Sequence, residues 1–312
     1  MRFNEIVGNE VAKNILLKTI KSKNLLNSYL FVGQEGIGKK EIAIEFARMI
    51  LCESEDFEND ESCSSCIKFN SNNHPDFNLL ERDGNIIGIA QIRDIVEDVY
   101  QKPIHSNRKI IIIDDAEYMT EEAQNAFLKT LEEPPGYITI ILITSREDML
   151  LSTILSRCTK VQFQGIKEDE IIKYIDDNID KFNNNIKELS YLANGSIGRL
   201  YDINENNQVI SEIKNNINKL ITNYNYSKID FIKENEILYS SKDNIINLLD
   251  YIIVILFEQL KVNYSLSDCI ANSIKYVENA KTRIKSNCNY DMTIDEMLFK
   301  MWEEFNEKYS RR

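Results

Sequence analysis

A chain of 312 residues, 43% hydrophobic and 28% charged, is longer than one core usually supports and too apolar for a disordered or fibrous protein. Its formal net charge of -13 excludes a broadly basic nucleic-acid domain, so any DNA contact has to be local or made through a partner. The N-terminal stretch lacks a basic region followed by an apolar run, and the longest apolar run, Ile252 to Phe257, is too short to span a bilayer. A cytoplasmic protein with no membrane segment is expected, and its six cysteines then point to metal ligands or buried thiols rather than disulfides.

Eight of the ten glycines lie at or before Gly165 and all four prolines precede Gly136, so the chain divides near residue 165. In the first part, five short β-type runs alternate with helical patterns: Tyr29–Val32, Phe77–Leu80, Lys109–Ile113, Thr139–Ile143 and Lys160–Phe163. That alternation predicts an α/β domain, a parallel sheet flanked by helices, over residues 1–165. Lys167–Phe182 has apolar residues at helical spacing, and a small helical unit over 166–206 closes around Asn194–Leu200. From 207 to 312 the chain has neither Pro nor Gly and reads as an all-α bundle.

Between the first strand and the following helix stands Gly33-Gln34-Glu35-Gly36-Ile37-Gly38-Lys39-Lys40, a phosphate loop with one departure. Gly33, Gly36 and Gly38 let the backbone wrap a phosphate with its N–H groups, the helix adds its positive end, and Lys39 reaches the terminal phosphates of ATP or ADP. The pattern then requires Ser or Thr, whose hydroxyl ligates Mg²⁺. Lys40 stands there instead, an ammonium with no lone pair for a metal, placed where the helix dipole disfavours a cation. Nucleotide without productive Mg²⁺ remains compatible with such a loop, and hydrolysis is expected to be weak or absent.

Ile110–Ile113 leads into Asp114-Asp115-Ala116-Glu117, an acidic strand end that places Asp114 to hold Mg²⁺ through water. A hydrolysing site of this type carries Glu next, and Asp115 is one methylene shorter.

The segment Ala123-Gln124-Asn125-Ala126-Phe127-Leu128-Lys129-Thr130-Leu131-Glu132-Glu133-Pro134-Pro135, followed by Ile154-Leu155-Ser156-Arg157-Cys158, closely resembles the bacterial clamp-loader branch of the AAA+ ATPases. The opening Phe3 to Glu10 is similar to that family's N-terminal segment, so Val7 and Gly8 are expected beside an adenine. The resemblance is strong over residues 1–165 and weak beyond. It implies a P-loop AAA+ domain, a small helical lid over 166–206, and a C-terminal helical collar over 207–312 that joins a hetero-pentamer. It also implies Arg157 as an arginine finger on ATP held by the adjacent subunit, where a guanidinium accelerates hydrolysis about 10³–10⁵-fold in related NTPases.

Thr144 resembles the sensor that reads the γ-phosphate. Gly195-Ser196-Ile197-Gly198-Arg199 resembles the lid's second sensor, although the family's ATPase subunits carry Arg one place earlier, where this chain has Gly198. The family inserts a zinc module after the first helix of the AAA+ domain, and Cys52, Cys63 and Cys66 occupy three of its four cysteine positions, within an insertion near 52–76. Phe69 takes the fourth, so either His74, Asp76 or a nearby acid completes a Zn²⁺ site, or zinc is lost and the fold stands on packing. Cys269 and Cys288 fall in segments expected to be helical.

A degraded own site beside a retained finger fits a structural and regulatory subunit of the DNA polymerase III holoenzyme. Its partners are then the gamma/tau and delta subunits, and through the complex the sliding clamp and primer-template DNA. The alternatives are an autonomous AAA+ ATPase of gamma/tau type, in which Lys40 is tolerated, and an AAA+ adaptor of DNA repair.

Overall fold

The fold was obtained as a computed structural model, which describes residues 2–58, 62–82, 84–182, 186–223, 226–286 and 288–310. The chain separates into two compact units, one of residues 1–177 with 195–198, the other of residues 178–194 with 199–312.

The first unit carries strands β1 (Ser28–Val32), β2 (Phe77–Leu80), β3 (Lys109–Ile113), β4 (Ile138–Thr144) and β5 (Thr159–Gln162). Helices α1 (Glu10–Lys21), α2 (Lys39–Leu51), α3 (Ser64–Asn70), α4 (Ile89–Val99), α5 (Glu121–Glu132), α6 (Ser152–Leu155) and α7 (Glu168–Asp177) belong to it too. The sheet order is β2-β3-β4-β1-β5 with every pair parallel, as expected for strands separated by helical crossovers. Strands β1, β3 and β4 are buried along their whole length, which is why they read as unbroken apolar runs rather than as alternating ones.

Both faces are nevertheless specified by the two-residue period of the strand. Tyr29, Phe31, Ile110, Ile112, Ile141 and Ile143 join a core with α1 and α2, including Leu16, Ile42 and Phe46. Leu30, Val32, Ile111, Ile113, Ile140 and Leu142 join a second core with α4, α5 and α6, including Ile92, Phe127 and Ile154. The carboxyl ends of β1, β2, β3 and β4 therefore open on one edge of the sheet, the edge at which parallel α/β sheets place their ligands.

The second unit is all helical, with α8 (Ile186–Ala193), α9 (Ile197–Glu205), α10 (Asn207–Thr222), α11 (Lys228–Glu234), α12 (Ile237–Ser240), α13 (Ile245–Val262), α14 (Ser267–Lys285) and α15 (Tyr290–Ser310). Residues 197 and 198, the start of α9, are counted with the first unit. Ile213, Leu249, Ile255, Leu256, Ile270, Val277 and Ile294 fill the interior of this bundle. Cys269 is buried on α14, whereas Cys288 lies in the exposed connection to α15 rather than in a helix. The helix restarts there because Asn289 accepts the N–H of Met292 through Oδ1 (3.0 Å), a side-chain cap that competes with continuing the turn. No helix among the described residues is long and apolar enough to cross a membrane.

One buried carboxylate fixes the entry to β3. Asp76, fully buried, accepts the backbone N–H groups of Ile104 (2.6 Å), His105 (2.8 Å) and Ser106 (2.6 Å). Burial opposes its ionisation, but these three N–H groups outweigh that and hold its carboxyl below the usual aspartate value. A folded-state pKa below the unfolded one stabilises the protein above the ordinary aspartate pKa, and the gain fades as pH falls through the lowered value. Asp76→Asn is therefore expected to cost about 2–3 kcal/mol in urea unfolding at pH 7, with the gap to the parent chain closing as pH falls below the ordinary aspartate pKa and through the lowered one.

Candidate nucleotide site and arginine finger

Gly36 and Gly38 turn the backbone through the left-handed region at φ +73 and +90, after which α2 starts at Lys39. A cavity of about 270 Å³ opens there, lined by Glu35, Gly36, Lys39, Lys40, Asp114, Asp115, Thr144 and Ser145 among others. The phosphate loop, the acidic strand end and the sensor threonine are thus brought to one place.

Lys39, Lys40, Asp114 and Asp115 in this cavity already have protein partners. Lys39 is buried and donates to the carbonyls of Gly33 (2.7 Å) and Gln34 (2.7 Å). Burial pushes its pKa below the ordinary lysine value, against the pull of Glu117 and Asp114. Lys40 reaches across the cavity to the Glu81 carboxylate at the end of β2 and to Asp114 Oδ2 at 3.2 Å. Burial opposes its charge, yet the hydrogen bonds to Glu81 and Asp114 prevail and raise its pKa above the ordinary value. The ammonium therefore does more than omit a metal ligand: it takes the aspartate that would serve the metal. The residues present do not fit Mg²⁺ in this arrangement.

Asp115 follows in the left-handed region at φ 51 and pairs with Arg82 at 3.0 Å, and the Arg82 guanidinium stacks on the Tyr118 ring at 4.4 Å. Burial and the neighbouring Asp114 raise the Asp115 pKa, with Arg82 opposing. Its carboxylate is committed to an arginine. Glu117, which sequence reasoning did not single out, accepts Ser145 N (3.0 Å) and Ser145 Oγ (2.5 Å) through Oε1 and so ties the end of β3 to the end of β4. Its Oε2 is buried with no hydrogen-bond partner among the described residues. Thr144 is buried, and its Oγ1 accepts Arg146 N at 3.0 Å.

The N-terminal segment is fastened to this site. Lys13 donates to the carbonyls of Phe3 (3.1 Å) and Ile6 (2.7 Å), and Asn9 donates to Ile37 O (3.2 Å) and accepts Gln164 N (2.8 Å). Gly8, at φ +74, has Ile166 3.0 Å from the place a Cβ would take, so the Val7-Gly8 turn lies against Ile166.

Residues 195–198 close on the loop from the other side. Gly198 N–H donates to Gly36 O at 2.9 Å, and the fully buried Ser196 donates from Oγ to Glu35 O at 2.9 Å. A Cβ on Gly198 would stand 2.8 Å from Gly36 Cα, a backbone atom, so no side chain fits there without moving the loop. Gly198 is the position at which the resemblance leads one to expect the lid's arginine. Arg199 pairs within the helical unit with Asp250 (2.9 Å), which also binds Lys281 (2.5 Å).

The three cysteines of the insertion converge. The sulfurs of Cys52, Cys63 and Cys66 lie within 4.8 Å of one another, and Cys52 Sγ and Cys63 Sγ are 3.8 Å apart. Two thiolates on tetrahedral zinc at about 2.3 Å stand about 3.8 Å apart, so the spacing fits the ion. Burial opposes ionisation of all three. At Cys63 the N–H groups of Glu53 and Cys66 outweigh it and lower the pKa, whereas Cys52 is raised and Cys66 is pushed up to about 12.

Neither His74 nor Asp76 joins the three sulfurs. Phe69 is buried against Phe77, ring centroids 4.5 Å apart. His74 accepts Asp76 N at Nδ1 (3.1 Å) and meets Ser65 Oγ at Nε2 (2.9 Å), while Asp76 holds the 104–106 backbone. Asp60 and Glu61 lie outside the described residues.

Arg157 follows α6 and is not among the residues lining that cavity. Its Nη2 pairs with Glu132 Oε1 at 2.6 Å, and its Nη1 donates to Thr153 O at 2.8 Å and Ser156 Oγ at 3.3 Å.

Comparison with known proteins agrees with this architecture. The family described as DNA polymerase III, delta subunit, matches residues 8–167, half of the chain. Among curated relatives, the DNA polymerase III subunit delta' of Bacillus subtilis is 37% identical over 163 residues, covering 51% of this chain and 50% of that protein. The DNA polymerase III subunit gamma/tau of Mycoplasma genitalium is 34% identical over 179 residues, covering 57% of this chain and 30% of that protein. The chain thus spans half or less of the length of these two relatives. A gamma subunit-related protein of Thermotoga maritima shares the fold, with a TM-score of 0.50 at 22% identity over 95% of this chain and 99% of that one. The protein belongs to the DNA polymerase III delta-subunit family of AAA+ clamp-loader subunits.

Proposed function

We propose that this chain is a clamp-loader subunit of the delta prime type: it does not hydrolyse ATP itself and donates Arg157 to ATP held by a neighbouring subunit. The observation that carries the reading is the Lys40 ammonium lying between Glu81 and Asp114, where an active site needs a metal ion. Phosphoryl transfer depends on positioned positive charge around the transferring phosphate, and a lysine locked onto the metal's own carboxylate cannot bridge two phosphates as Mg²⁺ does. Val7, Gly8, Gly33, Gly36, Gly38, Lys39 and Thr144 form what remains of the nucleotide site, and any ATP or ADP held there is held without productive metal.

In this reading residues 1–165 are the AAA+ domain, 166–206 the lid and 207–312 the collar of a hetero-pentamer with gamma/tau and delta subunits. That assembly places the sliding clamp on primer-template DNA in the cytoplasm. The net charge of -13 favours reaching DNA through the complex rather than through this chain alone. The cluster of Cys52, Cys63 and Cys66 is a three-thiolate zinc site whose role is to pin the insertion between α2 and β2.

Two measurements follow. The isolated chain should turn over no ATP above background, while a mixture with gamma and delta subunits hydrolyses it. Arg157→Ala should cut turnover at the site it faces by about 10³-fold. Turnover by the isolated chain in the ordinary range of P-loop enzymes supports the gamma/tau-like alternative instead. Metal analysis of the purified chain should find about one zinc per chain, lost in Cys63→Ser with a lower melting temperature; a metal-free parent chain of equal melting temperature removes the zinc assignment.

A further inference from the structure

The last turn of a helix is the negative end of its dipole, and a carboxylate there is disfavoured. Glu132 is the final residue of α5, so the helix gains nothing from an acid at that place. What the carboxylate meets is Arg157, with Nη2 and Oε1 2.6 Å apart. On its other nitrogen the guanidinium donates to Thr153 O, a carbonyl of the one-turn helix α6, and to Ser156 Oγ. Arg157 is therefore gripped along one side by two elements.

Those two elements are themselves bound together. Gln124 on α5 accepts Leu151 N at 2.8 Å and donates to Met119 O (3.1 Å) and Met149 O (3.2 Å), which ties the helix to the segment entering α6. Ile154 of α6 is fully buried in the core that also holds Phe127 of α5, and Cys158, next to the arginine, packs against the same core. The Cys158 thiol is pushed up to about 12 by burial, so it serves as an anchor and not as a nucleophile. The guanidinium has five N–H groups, and its Nε makes no hydrogen bond among the described residues. One edge is held and another is left for an incoming anion.

We propose that Glu132 is the positioning residue for Arg157, holding the guanidinium in the orientation in which it meets a neighbouring triphosphate. This rests on the reading of Arg157 as a finger acting in trans. An unheld arginine has many rotamers to lose when it engages the transition state, and Glu132 removes part of that loss in advance. The ion pair is half-exposed, so its contribution to folding is small. The effect belongs in kcat rather than in stability.

The test uses the assembled complex with its gamma and delta subunits, Mg-ATP, clamp and primed DNA. Glu132→Gln is expected to lower kcat at the neighbouring site about 3–10-fold with KM for Mg-ATP and the chain's melting temperature unchanged. Glu132→Asp should recover part of the loss, and Glu132→Gln combined with Arg157→Ala should be no slower than Arg157→Ala alone. Parent-level kcat in Glu132→Gln, or a double variant slower than Arg157→Ala by the full single-variant factor, overturns the proposal while leaving the finger intact. An Arg157→Ala complex with undiminished turnover overturns the finger reading and this proposal together.

Discussion

Acidic side chains at the carboxyl edge of a parallel sheet repel one another unless a cation joins them, and here the chain supplies the cation itself. Glu81 and Asp114 end adjacent strands, and the Lys40 ammonium sits between them, while Asp115 is taken by Arg82. A divalent ion would ordinarily perform this neutralisation and bring the phosphates with it. With Lys40 in place both carboxylates have a cationic partner before any ligand arrives, which weakens the usual reason for recruiting metal. The raised pKa of Lys40 expresses the same fact, since burial opposes its charge and the two carboxylates overcome it.

The phosphate loop is held by further contacts of the same internal kind. Lys39 turns back onto the loop's own carbonyls, and residues 195–198 dock on the far side through Gly198 and Ser196. The Gly36–Gly198 approach leaves no space for a side chain, and a backbone hydrogen bond is made there instead. In the function proposed above, a site built this way keeps the shape of a nucleotide cradle without a metal-assisted catalyst, and the chemistry passes to an arginine on another edge of the same domain.

Most of the sheet was legible in the sequence. Strands β1 to β5 fall within one or two residues of the runs read from β-type patterning, because buried parallel strands are apolar along their length and bounded by turn residues. The chemistry of Lys40 was legible too, as a missing hydroxyl. Its partners were not, since Glu81 is 41 residues away and only strand order brings it to the loop. The pairing of Glu132 with Arg157 escaped for the same reason, spanning 25 residues across two elements. His74 and Asp76 illustrate the opposite failure: their residue types suggested ligands, yet both are used up in hydrogen bonds that order the backbone before β3. Gly198 was visible as a letter, but its close contact with Gly36 exists only in three dimensions.

The central claim is that Lys40 occupies the carboxylate a metal needs, and electron paramagnetic resonance of Mn²⁺ in the presence of ATP tests it most directly. The parent chain is predicted to leave the Mn-ATP spectrum unchanged, and Lys40→Thr, which frees Asp114 and restores a hydroxyl, is predicted to yield a protein-bound signal. A bound Mn-ATP signal from the parent chain, of the same strength as from Lys40→Thr, would contradict the account.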